Sequence, residues 1–157
     1  MELAEIGKNI LTNCMNVKPG ENVLIVTDDE KYAIGQALYQ AAKLLKAEAM
    51  LMTMTAREVS GQEPPAVVAA AMKASDVVIC PMKTSITHTR AKIEAAEAGA
   101  RIATMPGITE EMFAMGAMTA DYSRVMALTE QVTDLLTNAN TARIEKDGHV
   151  LTLDLRG

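Results

Sequence analysis

Apolar positions along this chain switch between two periods, and each switch marks a boundary between elements. Leu3, Ile6, Ile10, Leu11 and Cys14 fall at helical spacing. Pro19-Gly20, within "VKPGEN", breaks that pattern as a turn. "NVLIVT" follows and is almost wholly apolar, as a parallel strand covered on both faces is. Residues 30–46 return to a helical pattern rich in Ala, Leu and Lys, and "AEAMLMTMT" reads as a second strand. The prolines of the loop "GQEPP" suit the first turn of the helix "AVVAAAMKA". "DVVIC" is a third strand. "THTRAKIEAAEAG" is a helix that stops at Gly99, which supplies the left-handed C-terminal position. "RIAT" is a fourth, short strand. After "MPG", Thr109 with Glu110 and Glu111 suits a helix start, because acids there face the positive end of the helix dipole. Residues 121–138 form a further helix.

Strands near residues 24, 50, 78 and 102, with helices between, predict an α/β fold. Its sheet is doubly wound and mostly parallel, with helices on both faces, and residues 1–141 make up this Rossmann-like domain. Ligands of such sheets sit beyond the carboxyl ends of the strands. Those ends are Thr27–Asp29, Thr53–Thr55, Pro81–Arg90 and Met105–Gly107. The tail is of another kind. "ARIEK" and "HVLTLDL" flank Asp147-Gly148, a strong two-residue signal for a C-terminal β-hairpin. Leu151, Leu153 and Leu155 alternate with Thr152 and Asp154, so one face of the hairpin is apolar. A two-stranded hairpin alone is marginal in water. Residues 142–157 are therefore expected either to pack on the α/β body or to lead toward a second, absent domain.

Composition narrows the function classes. The 157 residues carry a net charge of -5, with the lysines and arginines scattered, which argues against a nucleic-acid partner. No apolar run has the length of a membrane helix, and the N-terminus "MELAEIGKNI" is not a signal peptide, so a cytoplasmic location without a membrane partner is expected. Cys14 and Cys80 share no motif, and only His88 and His149 could serve as imidazole ligands. No metal site is expected within the chain. Twelve methionines against one phenylalanine and no tryptophan is an unusual balance. Met50, Met52 and Met54 share one strand face, and Met112, Met115 and Met118 fall at helical spacing. Both sets are expected to pack in the core.

The acidic pair Asp28-Asp29 ends the first strand, as in the Mg²⁺-binding pocket of response-regulator receiver domains. That pocket needs a third carboxylate at the end of the third strand, where this chain has Cys80 and Pro81. Asp76 begins that strand and so belongs to the opposite edge. The receiver reading loses its chemistry. The expectation that remains is that Asp28 and Asp29 cap the helix beginning near Glu30.

The segment "KTSITHTRA" has the densest candidate chemistry. Lys83, Thr84, Ser85, Thr87, His88 and Arg90 gather donors and positive charge at a strand's carboxyl end, ahead of a helix N-terminus that attracts anions. They are the candidate substrate-binding residues. The competing explanation is ordinary Ser/Thr capping with solvated Lys and Arg. No serine or cysteine nucleophile is paired with His88 in sequence, so no residue is assigned a catalytic role.

"VKPGENVLIVTD", "THTRA", "EAGARIATMPGITEEMF" and "ADY" span most of residues 17–141. In these pieces the chain resembles the N-terminal domain of the metallo-aminopeptidases typified by aminopeptidases T and S, often labelled leucyl aminopeptidases. The resemblance implies a dimeric parent enzyme that removes N-terminal amino acids from peptides with two divalent metal ions (zinc, cobalt or magnesium). It implies that "DGHVLTLDLRG" leads into that family's second, catalytic domain. The family's metal ligands and catalytic residues belong to that domain, and none has a counterpart here. The expectation is a non-catalytic domain with peptide as the parent enzyme's substrate, inactive by itself, in a homodimer. Two alternatives stand beside it: the N-terminal domain of a related iron-dependent dihydroxypyridine dioxygenase, and a stand-alone module binding a small anion at residues 83–90.

Overall fold

The structure is a computed structural model and describes residues 3–156. The chain divides into two compact units, Met1–Thr119 and Ala120–Gly157.

In the first unit the elements run α1 (Leu3–Asn13), β1 (Asn22–Asp28), α2 (Tyr32–Leu44), β2 (Glu48–Met54), α3 (Ala66–Lys73), β3 (Val77–Met82), α4 (Arg90–Glu97), β4 (Arg101–Pro106) and α5 (Glu110–Ala114), with a 3₁₀ turn at Gly116–Thr119. The four strands form one parallel sheet in the order β2-β1-β3-β4. β2 lies on one side of β1, and the chain then returns to place β3 and β4 on the other. The strand order therefore reverses between β1 and β3, which makes a crevice at their carboxyl ends.

Alternation along β1 explains why the sheet is covered twice. Val23 and Ile25 face one way and pack with Ile6, Ile10 and Leu11 of α1, Ile34 and Leu38 of α2, and Phe113 of α5. Leu24 and Val26 face the other way and pack with Val68 and Met72 of α3 and Ala91 and Ala95 of α4. Each fully buried side chain of this size contributes about 1.5–3 kcal/mol of burial free energy. The doubly wound sheet predicted from the hydrophobic pattern is the one observed. Helix α2 approaches β1 closely because Gly35 has no side chain: a Cβ there would lie 2.8 Å from the Thr27 methyl.

The methionines divide. Met54 is buried and Met52 packs beside it in the α3–α4 layer, but Met50 lies on the edge strand and is exposed. The α5 set departs further from the core expectation. Phe113 takes the inward position of this one-and-a-half-turn helix, so Met112 and Met115 point outward, each 56% exposed, and only Met118 packs on the core. With Glu111, Gly116 and Ala117 the three methionines line an open apolar depression of about 350 Å³.

The second unit holds α6 (Tyr122–Asn138), β5 (Thr141–Lys146) and β6 (His149–Asp154). Asp121 caps α6, its Oδ1 accepting from the backbone N–H of Ser123 and Arg124 at 3.1 and 3.2 Å. The hairpin turns at Asp147-Gly148 as the sequence predicts, both residues at positive φ (52° and 78°) as a tight two-residue turn requires. The register sets Ile144 opposite Leu151 and Ala142 opposite Leu153, which gathers the apolar side chains on one face. No described residue from Ala120 onward is buried. Among the described residues no helix is long and apolar enough to cross a membrane.

Candidate functional site at the carboxyl edge of the sheet

Asp28 ends β1 at the crevice between β1 and β3 and is fully buried. Its Oδ2 accepts the backbone N–H of Lys83 at 2.6 Å and its Oδ1 that of Lys31 at 3.1 Å. Asp29 Oδ1 accepts the backbone N–H of Ala56, just past β2, at 2.9 Å. Thr27 donates its hydroxyl to the Pro81 carbonyl oxygen at 2.9 Å. The expectation that the acidic pair caps α2 needs correcting. Lys31 occupies the N-cap position of that helix, and no side chain caps it. The pair instead ties the ends of β2 and β3 to the end of β1. The reason is spatial: the amide N–H groups leaving the neighbouring strands lie beside these carboxylates once the sheet forms. Lys83 Nζ forms an ion pair with Glu30 at 2.6 Å, and the hydrogen bond it donates to Glu30 holds the Lys83 ammonium above its usual range.

Cys80 lies inside β3, and burial pushes its thiol up to about 12, so it is a packing residue and not a nucleophile. Asp76 sits at the amino edge, where its Oδ2 accepts the Asn22 backbone N–H at 2.8 Å.

The candidate residues of the β3–α4 loop share one segment but have separate tasks. Ser85 donates its hydroxyl to Thr87 Oγ1 at 2.9 Å, and Thr87 Oγ1 lies 2.9 Å from Thr104 Oγ1 on β4. Thr89 caps α4, accepting from the Lys92 N–H, and its own hydroxyl donates to the Ile86 carbonyl oxygen at 2.7 Å. His88 and Arg90 are exposed, and Arg90 pairs with Glu94 one turn along the helix at 3.1 Å. The first N–H groups of α4, where an anion was expected, already have a carboxylate. Glu63 accepts from Arg90 N–H at 2.7 Å and from Ala91 N–H at 3.3 Å.

Three participants escape the sequence reading. Glu63 lies in the "GQEPP" loop, and nothing local in sequence says that it caps a helix some thirty residues later. Thr104 completes the hydroxyl chain from the neighbouring strand. Arg57 stands just beyond the carboxyl end of β2, and the rule that ligands gather there was the signal that could have found it. The loop bearing Arg57 is stitched to the β3–α4 loop: Gly61 N–H donates to the Ser85 carbonyl oxygen at 2.8 Å, and Ser85 N–H to Ser60 Oγ at 3.2 Å. Arg57 Nε and Thr84 Oγ1 are each shut off from solvent with no hydrogen-bond partner among the described residues. Glu30, Lys31, Ala33, Ile34, Ile108, Thr109 and Glu110 line a cleft of about 170 Å³ between the starts of α2 and α5.

A metal centre does not fit this donor set. Among the described residues no three His, Cys, Asp or Glu side chains are close enough to hold an ion. The Asp28 and Asp29 oxygens nearest the crevice are bonded to backbone N–H groups, and His149 belongs to the second unit.

Comparison with known proteins revises the family. The family model described as NicX: 2,5-dihydroxypyridine 5,6-dioxygenase matches residues 2–157. A solved structure of 2,5-dihydroxypyridine dioxygenase from Pseudomonas putida KT2440 superposes with a TM-score of 0.67 at 17% identity, over 97% of this chain and 46% of that protein. The chain thus spans about half the length of the solved relative. No curated protein matches the chain significantly. The resemblance to aminopeptidases T and S is overturned by the family match. With it go the leucyl exopeptidase activity, the peptide substrate and the pair of zinc, cobalt or magnesium ions. The dioxygenase alternative is the one these findings support. "THTRA" and "GITEEM" did not separate the two families.

Proposed function

The chain belongs to the 2,5-dihydroxypyridine 5,6-dioxygenase family, and from that premise we propose that it supplies the α/β part of an enzyme that opens a hydroxylated pyridine ring with O₂. The observation that carries the reading is the family match across the length of the chain. The reaction class breaks the bond between ring carbons 5 and 6 and leaves one oxygen atom of O₂ on each. Iron is the group that such chemistry calls for, and the side chains of residues 3–156 do not fit it. The role proposed for this chain is therefore to bind and orient the ring, with no step assigned to metal.

A dihydroxypyridine presents two ring oxygens and a ring nitrogen, and it needs donors and acceptors on a rigid support. The carboxyl edge offers these from Lys83, Thr84, Ser85, Thr87, His88 and Arg90, held at the end of a buried strand. Exposed His88 can meet a ligand from solvent. We place the protein in the cytoplasm, a location supported by two free cysteines, since thiols persist where glutathione keeps them reduced. A homodimer belongs to the same reading. Light scattering at micromolar concentration should give twice the chain mass, and a clean monomer ends that part.

The functional test uses the gene product carrying this sequence, supplied anaerobically with Fe²⁺ and then with oxygenated 2,5-dihydroxypyridine. The expected result is one O₂ consumed per ring lost, read with an oxygen electrode and by ultraviolet absorbance. Chelator-sensitive hydrolysis of leucine p-nitroanilide with no oxygen uptake defeats the proposal.

A further inference from the structure

The carboxyl edge of the sheet carries a cleft on its α2 and α5 side, and the topology explains why it is there. In the sheet β3 lies between β1 and β4, the strands that lead into α2 and α5. The helix that follows β3, α4, packs in the opposite layer. Nothing from β3 therefore fills the gap between the starts of α2 and α5. Its walls are held from below. Lys31 N–H donates to the buried Asp28 Oδ1 at 3.1 Å, and Gly107 N–H, next to Ile108, to the Met82 carbonyl oxygen at 2.8 Å. Ile34 and Ile108, both almost fully buried, supply the apolar part of the lining. Two charged residues line the cleft from opposite walls, Lys31 from the α2 side and Glu110 from the α5 side. Neither side chain has an ion-pair or hydrogen-bond partner among the described residues. The acid beside Lys31 is already committed, because Glu30 pairs with Lys83. The larger depression lined by methionines is different in kind, with one carboxylate and no cation.

We infer that this cleft takes a single hydroxylated pyridine ring, with Lys31 and Glu110 reading its two oxygen substituents. The identity of the ring rests on the dioxygenase reading. Size sets the ligand class. Sites for drug-sized ligands run to about 300–1,000 Å³, so a cleft of about 170 Å³ accommodates one ring and not a fused or dinucleotide ligand. Chemistry sets the orientation. In its pyridone form 2,5-dihydroxypyridine carries the proton of its 2-hydroxyl on the ring nitrogen. That leaves an acceptor oxygen at carbon 2 and a donor hydroxyl at carbon 5, across the ring from each other. An ammonium has only donors and an ionised carboxylate only acceptors. Lys31 therefore takes the oxygen at carbon 2 and Glu110 the hydroxyl at carbon 5, one from each wall, while the ring body lies against Ile34 and Ile108. Glu30, which also lines the cleft, holds Lys83 of the β3–α4 loop, so the cleft extends that candidate site.

The test needs neither iron nor oxygen. The 157-residue chain, labelled with ¹⁵N and with ¹³C in its isoleucine methyls, is titrated anaerobically with 2,5-dihydroxypyridine. The expected result is a saturable shift of the Ile34 and Ile108 methyl resonances. Lys31→Met and Glu110→Ala should each weaken binding by about tenfold, the scale of one hydrogen bond to a charged group. Backbone amide spectra certify that the variants fold. Ligands lacking one substituent separate the two contacts. 2-Hydroxypyridine has no donor at carbon 5, so Lys31→Met should weaken its binding and Glu110→Ala should not. 3-Hydroxypyridine keeps only the other hydroxyl and should show the reverse. In the wild-type chain both should bind more weakly than 2,5-dihydroxypyridine, which tests the inference without any variant. Arg143→Gln, on the exposed hairpin, should leave every affinity as it was. Ile34 and Ile108 methyls that ignore the ligands overturn the inference, and so do shifts confined to residues 83–90. Losses that do not depend on which substituent is missing overturn the assignment of Lys31 and Glu110. Oxygen uptake with iron is scored separately. Uptake without binding in the cleft sinks this subsite alone, and ring binding without uptake counts against the enzyme reading alone.

Discussion

The two units of this chain use similar apolar patterns and reach opposite outcomes. In β1 every position from Val23 to Val26 is fully buried, because helices cover both faces of the sheet. In α6 Leu128 is 61% and Leu135 71% exposed, and in β6 Leu151 is 53% exposed, although their spacing is as regular as that of β1. Periodicity specifies a face. It does not supply the surface that covers the face. The polar contacts follow the same division. In the first unit carboxylates reach across the fold, as Asp28 does to Lys83. In the second they bond within two or three residues, as Asp154 does to Arg156 and Asp121 to Ser123.

Paired truncation tests the difference between the two units most directly. Leu24→Ala should cost about 2–5 kcal/mol of unfolding free energy, the transfer term plus the cavity. Leu128→Ala should stay within about 0.5 kcal/mol, as exposed substitutions do. Urea denaturation followed by circular dichroism measures both. A Leu128 variant as damaged as the Leu24 variant would mean that α6 is packed in solution and that the contrast is false.

Gly35→Ala comes next. It presses a methyl against Thr27 in a layer with no room, and overpacking of this kind costs about 1–3 kcal/mol. Combining it with Thr27→Ser, which removes the opposing methyl, should recover part of the loss in the same denaturation experiment. No recovery would place the strain elsewhere in α2.

Asp28→Asn probes the long-range bonds. The amide keeps one acceptor oxygen and turns an NH₂ toward one of the two backbone N–H groups that Asp28 now serves. A loss of about 1–3 kcal/mol is expected, together with faster amide hydrogen exchange at Lys83. Unchanged exchange at Lys83 would show that the tie contributes nothing to the edge.

The smallest effect is electrostatic. The hydrogen bond from Arg101, assisted by the Lys18 N–H and the Arg101 charge, holds the Glu21 carboxyl below its usual range despite partial desolvation. The folded value being the lower one, its stabilising contribution is complete above the ordinary carboxylate range. That contribution fades as pH falls through the lowered value. Glu21→Gln should therefore cost under about 1 kcal/mol near neutrality, less at high salt, and nothing in strong acid. Asp154 is likewise held low by Arg156, but that pair is local and fully exposed. Asp154→Asn should leave the urea transition of the first unit unmoved at every pH.

Much of the architecture was legible from local rules. The Asp147-Gly148 turn, the Thr109 cap and the left-handed Gly99 each depend on a few adjacent residues, and each stands where the sequence put it. The parallel sheet was legible because an apolar run such as "NVLIVT" has no stable place except between two covering layers. The edge chemistry was only half legible. Strand ends located the loop of residues 83–90, but not what its members bond to. Asp28 looked like a helix cap because capping is the commonest use of an aspartate ahead of a helix. It became a tie between strands because folding set the Lys83 N–H beside it. Glu63 capping α4 and Thr104 extending the Ser85–Thr87 chain both join residues distant in sequence. Sequence determined the elements, because their hydrogen bonds close within a few residues or follow a fixed period. Tertiary structure decided the site, because its bonds exist only where separate strand ends meet.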